Sequence, residues 1–220
     1  MSIDLATPEG RRQANKDLIW GDHGFLRLRF QNLHQISDEM WRSNQPSPKH
    51  IRAHVQERGI KTILNLRGVS KKGYYLLEKE ACAQEGVELI DFQMFSRDTP
   101  TPEKVHAAKD LFDRIAYPAL MHCKSGADRA GIMAVLYMHF RQNKPISEAI
   151  QQLSFKYLHV REGKTGVLDY LFNQYLGAEA ETGISFLDWI DGPYDRAAVK
   201  AEFLKTWKSQ LKIDRLLRRE

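Results

Sequence analysis

The sequence predicts an α/β fold with a central, mostly parallel sheet and helices on both faces. Two observations carry this. From Ser47 onward, helix-start and helix-stop signals alternate with short apolar runs, the pattern that builds strand–helix–strand units. Between the last apolar run and a long apolar helix stands His122-Cys123-Lys124-Ser125-Gly126-Ala127-Asp128-Arg129, a short loop placed where a strand ends and a helix begins.

With 220 residues and 42% hydrophobic content, the chain is long enough for one substantial core with helical additions. It reads as a polar lead-in over residues 1–24, a body over 25–180 and a basic helical extension over 181–220. The lead-in is expected to be weakly ordered, although Ile19, Trp20 and the run from Phe25 to Phe30 are available to dock on the body. Leu33–Ile36 and Met40–Ser43 suggest a hairpin. Ser47 as N-cap and Pro48 as first helical residue open a helix that Gly59 ends, and Ile60–Leu66 follows as a buried strand. The unit then repeats. Gly73–Glu85 is helical up to Gly86, Val87–Met94 is a strand, Thr101-Pro102 starts a helix to about Ala116, and Ala119–Cys123 is a strand. The next helix, Asp128 to about Asn143, is apolar nearly all round and therefore central.

Later segments read as helices over Ile146–Leu153, Gly166–Leu176 and Asp195–Arg219. The last spaces Val199, Phe203, Trp207 and Leu211 four apart among Lys205, Lys208, Lys212, Arg215, Arg218 and Arg219. This describes a helix packed on the core with a solvated basic face, or alternatively peripheral contact with a membrane surface.

Ligands of parallel sheets bind beyond the C-terminal strand ends. Three strands run out there into Arg67, into Ser96-Arg97-Asp98, and into Cys123. The loop after Cys123 has the length to turn its backbone N–H groups onto three phosphate oxygens, and Gly126 allows the positive φ of the curl. Arg129 closes the ring with a planar fork that Lys does not reproduce. Converging amides, the helix start and the guanidinium all favour the thiolate of Cys123, which is then aimed at phosphorus. The phosphate-binding residues are Lys124, Ser125, Gly126, Ala127, Asp128 and Arg129.

Composition narrows the partners. A formal charge of +5 suits an anionic substrate without demanding nucleic acid, for which no zinc-finger spacing, RNA-binding aromatic motif or long basic run is present. No metal-ligand cluster is visible and no cofactor is expected. Two cysteines, Cys82 and Cys123, are too few for a disulfide framework, and a catalytic thiol suits a reducing compartment. With no apolar membrane span and a polar start from Met1 to Gln13, the expected location is the cytoplasm.

The stretch from Val87 to Gly131, centred on HCKSGADRAG, resembles the cysteine-dependent protein tyrosine phosphatase superfamily, in particular its compact dual-specificity branch. The resemblance extends over residues 33–175 and includes WRSNQP (Trp41–Pro46) and ILNLRG (Ile63–Gly68). It implies metal-free hydrolysis of phosphomonoesters by a dual-specificity-like catalytic domain, through a cysteinyl-phosphate. Its substrates would be phosphotyrosine or other phosphorylated proteins, alternatively phosphoinositides or small phosphate esters. The resemblance also implies a general acid, an Asp upstream of the nucleophile. Asp91 lies inside the strand and Asp98 in the loop after it; Asp98 is preferred because that loop reaches the cleft. The Trp-Pro-Asp triplet of the tyrosine-specific branch is absent. His122 is expected to orient the loop through backbone hydrogen bonds, as its family counterpart does.

Lys124 and Asp128 resemble residues of lipid-active and broad-specificity members. Ala130 departs from the usual Ser or Thr, whose hydroxyl assists departure of sulfur, so hydrolysis of the intermediate is expected to be slow. That departure makes a phosphate-recognition module with little turnover an alternative. A sulfurtransferase also uses a loop cysteine flanked by cations but has no use for an upstream acid. Arg67 bonds either the loop, a substrate or a carboxylate. Cys82 reads as a buried structural cysteine, or as the disulfide partner of an oxidised Cys123 known in some members. His159, Arg161 and Lys164 form a small basic cluster of unassigned role.

Overall fold

The computed structural model describes residues 3–27 and 29–217, with side chains in the last helix as far as Ser209. Two compact units divide it, one of residues 1–94 with 114–130 and the other of residues 95–113 with 131–220.

The first unit holds the sheet. Its strands are β1 (His34–Ser37), β2 (Met40–Ser43), β3 (Thr62–Asn65), β4 (Glu88–Asp91) and β5 (Ala119–His122), in the spatial order β1-β2-β5-β3-β4. Only the β1–β2 pair is antiparallel, as its hairpin requires; the other three pairings are parallel. This is the mostly parallel α/β arrangement, with helices around the sheet, that the alternation predicts. β3 and β5 are buried at all four positions, as expected of parallel strands covered on two faces.

Helices of this unit begin with α1 (Pro8–Lys16) and α2 (Gly24–Arg27). The next, α3 (Pro48–Arg58), is capped by Ser47 and ends at Gly59 as its sequence signals dictate, and α4 (Gly73–Glu85) ends at Gly86. Ile51 of α3, Ala81 and Cys82 of α4, Ile63 of β3 and Leu120 of β5 share one apolar cluster, so both helices pack on the sheet. Each fully buried Ile or Leu contributes roughly 1.5–3 kcal/mol there.

The lead-in is more ordered than composition suggests. Thr7 caps α1, which packs on α4 so closely that a Cβ at Gly73 would stand 2.5 Å from the Ala14 backbone. Ala14 and Leu18 are buried with Leu77, whereas Trp20, Phe25, Leu26 and Phe30 stay exposed. Docking thus falls to Ala14 and Leu18 rather than to the larger aromatic residues of the segment.

The second unit contains α5 (Pro102–Arg114), most of α6 (Asp128–Phe140), the single turn α7 (Ile146–Ala149), α8 (Val167–Thr182), α9 (Phe186–Asp191) and α10 (Arg196–Leu217). The helix expected over Ile146–Leu153 is cut short, its second half tightening into a 3₁₀ turn. Phe186, from an unanticipated short helix, contacts Phe140, Phe172, Tyr175 and Trp189. Val199 and Phe203 of α10 are buried, Phe203 lies 6.0 Å from the Tyr170 ring of α8, and Trp207 Nε1 donates to the Glu162 carbonyl. The apolar stripe of α10 is therefore a packing face over its described part; the side chains of Leu211, Lys212 and Arg215, and residues Arg218 and Arg219, lie outside the described residues. Among the described residues, no helix is long and apolar enough to cross a membrane.

Candidate active site

β5 runs between β2 and β3 and delivers His122 and Cys123 to the C-terminal edge of the sheet, where the Leu66 N–H donates to the His122 carbonyl at 2.9 Å. Cys123 is 2% exposed, and its Sγ accepts the Gly126 N–H at 3.2 Å. Gly126 has φ +76, and a Cβ there would lie 2.8 Å from the Ser43 carbonyl carbon and 2.9 Å from Asn44 N. Both contacts are to backbone, so only glycine fits. Gly126→Ala is expected to cost on the order of 1–3 kcal/mol of stability and to weaken phosphate binding; thermal unfolding with and without phosphate measures both.

Four consecutive carbonyls of the loop are bonded from outside. Gln45 N–H reaches the Lys124 carbonyl (3.4 Å), Asn32 Nδ2 the Ser125 carbonyl (2.9 Å), and the Arg42 Nη2 both the Gly126 (2.8 Å) and Ala127 (2.9 Å) carbonyls. In a planar trans peptide the N–H points opposite to the C=O. Securing these carbonyls therefore turns the N–H groups of residues 125 to 128 away from the scaffold, where that of Gly126 meets Cys123 Sγ and that of Ala127 the Ser125 hydroxyl, a side on which an anion can be received. Arg42, fully buried on β2, is the centre of this scaffold. Asp128 and Arg129 begin α6, whose N-terminal dipole adds to the field. Arg129 keeps a buried Nε–H without a hydrogen-bond partner among the described residues, a donor available to an oxyanion.

A chain of buried polar contacts links the residues on either side of the nucleophile. His122 Nε2 stands 2.5 Å from Glu78 Oε1 with both side chains inaccessible, and neither ring nitrogen makes the expected hydrogen bond to the loop backbone among the described residues. Glu78 Oε2 accepts from Gln45 Nε2, and Gln45 Oε1 accepts from Arg67 Nη1, both at 2.8 Å. Arg67, stacked 3.7 Å over Tyr74, grips Asp22 through two parallel 2.8 Å bonds. Asp22 also accepts from Arg27 Nη2 at 2.5 Å and lies 3.7 Å from Lys124 Nζ. Burial pushes the Asp22 carboxyl up, but the hydrogen bond and charge of Arg67, with Arg27 and Lys124, outweigh it and hold the group below the usual carboxylate range. Of the three roles open to Arg67, this structure shows the pairing with a carboxylate.

The remaining candidates separate. Asp91 on β4 has both oxygens engaged, Oδ1 by Asn65 Nδ2 (2.7 Å) and Oδ2 by the Tyr75 hydroxyl (2.6 Å). Asp98 belongs to the second unit. Its Oδ2 accepts from Arg196 Nη2 (2.7 Å) and Lys200 Nζ (2.9 Å), and its Oδ1 takes the Thr99 N–H (3.0 Å). The start of α10 grips this loop further, through Arg196 Nε on the Thr99 carbonyl and the Tyr194 hydroxyl on the Pro100 carbonyl. Cys82 sits in the apolar cluster under the sheet, where burial first, then Glu78 and Asp91, pushes its thiol up to about 12, as befits a structural cysteine. His159 is buried against Asp169 at 2.6 Å and Lys164 lies over Trp207, so that basic cluster is occupied in holding its own unit together. Ala130 is fully buried.

Sequence reasoning did not assign roles to Asn32, Arg42, Gln45, Glu78, Asp22 or Arg27. Arg42 and Gln45 lie inside WRSNQP, where two long polar side chains directly after an apolar strand residue were a visible signal. Asp22 and Arg27 had none.

The comparisons agree with this fold. No curated protein matches the chain. Among solved structures the fold is similar to that of TpbA from P. aeruginosa (TM-score 0.52, 16% identity, covering 77% of this chain and 91% of that one). It is also similar to PTPMT1 (TM-score 0.50, 17% identity, 68% and 99%) and to a DUF442 putative phosphatase from Shewanella putrefaciens CN-32 (TM-score 0.50, 17% identity, 69% and 97%). A family model described as the DSP-PTPase phosphatase fused to NAD+ kinase matches residues 31–165, a span that takes in the hairpin, the sheet and the whole cysteine loop. The chain therefore belongs to this family of dual-specificity-type tyrosine phosphatases.

Proposed function

We propose that the protein hydrolyses phosphomonoesters through a covalent cysteinyl-phosphate. The observation that carries this reading is the cradle: four outward-bonded carbonyls, the Cys123 thiol and an Arg129 Nε–H that has no hydrogen-bond partner among the described residues. In the first step Cys123 Sγ bonds to phosphorus as the ester P–O bond breaks, and Asp98 gives its proton to the leaving oxygen. In the second, water attacks phosphorus, Asp98 takes its proton, and the S–P bond breaks to return the thiolate. Arg129 and the loop N–H groups hold the equatorial oxygens in both steps. Arg196 Nη2 and Lys200 Nζ both hold Asp98 Oδ2, so action as the acid requires the carboxyl to leave these two partners on α10.

Phosphotyrosine and other phosphoprotein substrates come first in this reading, with phosphoinositides and small esters as alternatives. Both cysteines are free thiols, in keeping with action in a reducing compartment such as the cytoplasm. The test is a panel of phosphopeptides, phosphoinositides and soluble esters, with NADP+ included because of the kinase fusion in the family description. Wild-type turnover in EDTA on at least one class supports the proposal; binding without release of phosphate on every class would favour a recognition module.

Ala130 gives a kinetic expectation. Without a hydroxyl to assist sulfur, the phosphoenzyme accumulates, and rapid mixing with an activated aryl phosphate gives a burst near one equivalent. Ala130→Ser raises the steady rate and leaves the burst rate nearly unchanged. A steady trace with no burst, and no gain in the variant, would move the slow step elsewhere.

A further inference from the structure

The Asp22 cluster carries more charge than a structural tie needs. One carboxylate is shared by the buried Arg67 and Arg27 and by the half-exposed Lys124, with the Cys123 sulfur also acting on Arg27, so the cations outnumber the carboxylate. Burying ions is costly, and a single partner would neutralise the carboxylate, so this excess gains nothing for stability. It suits a more highly charged oxyanion.

We propose that Arg27, Arg67 and Lys124 form a second anion site beside the phosphate loop, filled in the resting chain by Asp22, and that a second phosphate on the substrate replaces that carboxylate. The assignment rests on the phosphatase reading of Cys123 and names its substrate class: monoesters that carry a further phosphate.

Three features support the site. The Arg67 fork is held by two contacts that do not involve Asp22, its stack on Tyr74 and its bond to Gln45. Its bidentate grip on Asp22 is the geometry with which guanidinium binds phosphate. The location is also right, because Lys124 directly follows the nucleophile and its half-exposed side chain opens the cluster to solvent. Finally, the segment bearing Asp22 is built to be displaced. It follows a π-helical turn, Asp17–Gly21, and precedes His23 at φ +62, two uncommon backbone states that the ion pairs hold in place. Trp20 and Leu26 on either side are 65% and 62% exposed, so little apolar packing opposes the movement.

The test uses full-length Cys123→Ser, which binds without turnover, titrated calorimetrically with propyl phosphate, propanediol bisphosphate and hexanediol bisphosphate. At least one bisphosphate is expected to bind about tenfold tighter than the monophosphate, with the advantage shrinking as salt is raised. Lys124→Gln, at a half-exposed position, keeps the fold and should reduce that advantage to about threefold or less. Asp22→Asn should enlarge it about tenfold; if that variant does not fold, the Lys124→Gln comparison decides alone. Equal binding of all three esters, or an advantage that Lys124→Gln leaves intact, overturns the site. Sedimentation with vesicles containing phosphatidylinositol bisphosphate, competed by the soluble bisphosphates, separates a lipid headgroup from a free ester as the source. If wild type hydrolyses nothing while the binding preference persists, the phosphatase reading fails and the anion site stands. Hydrolysis without preference does the reverse.

Discussion

Cys123→Ser is expected to lower hydrolysis of an aryl phosphate by at least about 10⁴-fold, because the first step of the proposed mechanism has no other nucleophile. The fold should survive. Serine is close to isosteric at a site where Sγ accepts one N–H from Gly126, so the melting temperature should change little while turnover disappears. Arg129→Lys is expected to lose about 10²–10³-fold, since a point charge does not span two equatorial oxygens as the fork does. Steady-state kinetics in EDTA measures both. Substantial turnover in Cys123→Ser would remove the covalent mechanism, and near-normal turnover in Arg129→Lys would mean that the loop is not the phosphate cradle.

Asp98→Asn should separate substrates by leaving group. An alkyl phosphate needs its oxygen protonated as it departs and is expected to slow about 10²–10⁴-fold, whereas an activated nitrophenyl ester, a stable anion when it leaves, should change far less. Asp91→Asn is the discriminating control. Asp91 holds Tyr75 and Asn65 across β3, β4 and α4, so its loss should lower stability and slow both esters alike. If Asp91→Asn instead shows the leaving-group pattern and Asp98→Asn does not, the acid has been assigned to the wrong carboxylate.

The sequence by itself determined whatever is decided within a few residues. Ser47, Pro48 and Gly59 bound α3 because caps act on the first and last turn only. The alternation of apolar strands and capped helices carries the α/β class because each element must bury one face. The spacing of Cys123, Gly126 and Arg129 suggests a phosphate loop from the sequence because the loop is closed by its own short length. Strand ends were overrun, as with Val87–Met94 against Glu88–Asp91, because a ladder stops where its partner stops.

Only the tertiary structure decided which charges meet. Asp22 finds Arg67 across 45 positions, Arg42 finds the Gly126 carbonyl across 84, and Asp98 finds Arg196 across 98. A carboxylate bears no local mark of its partner, since Coulomb attraction and hydrogen bonding depend on distance in space and not along the chain. The same reason hid the role of residues 3–27. Their order comes from Ala14 lying against the bare backbone of Gly73 and from Asp22 being gripped by Arg67, contacts that exist only once the sheet and α4 are in place.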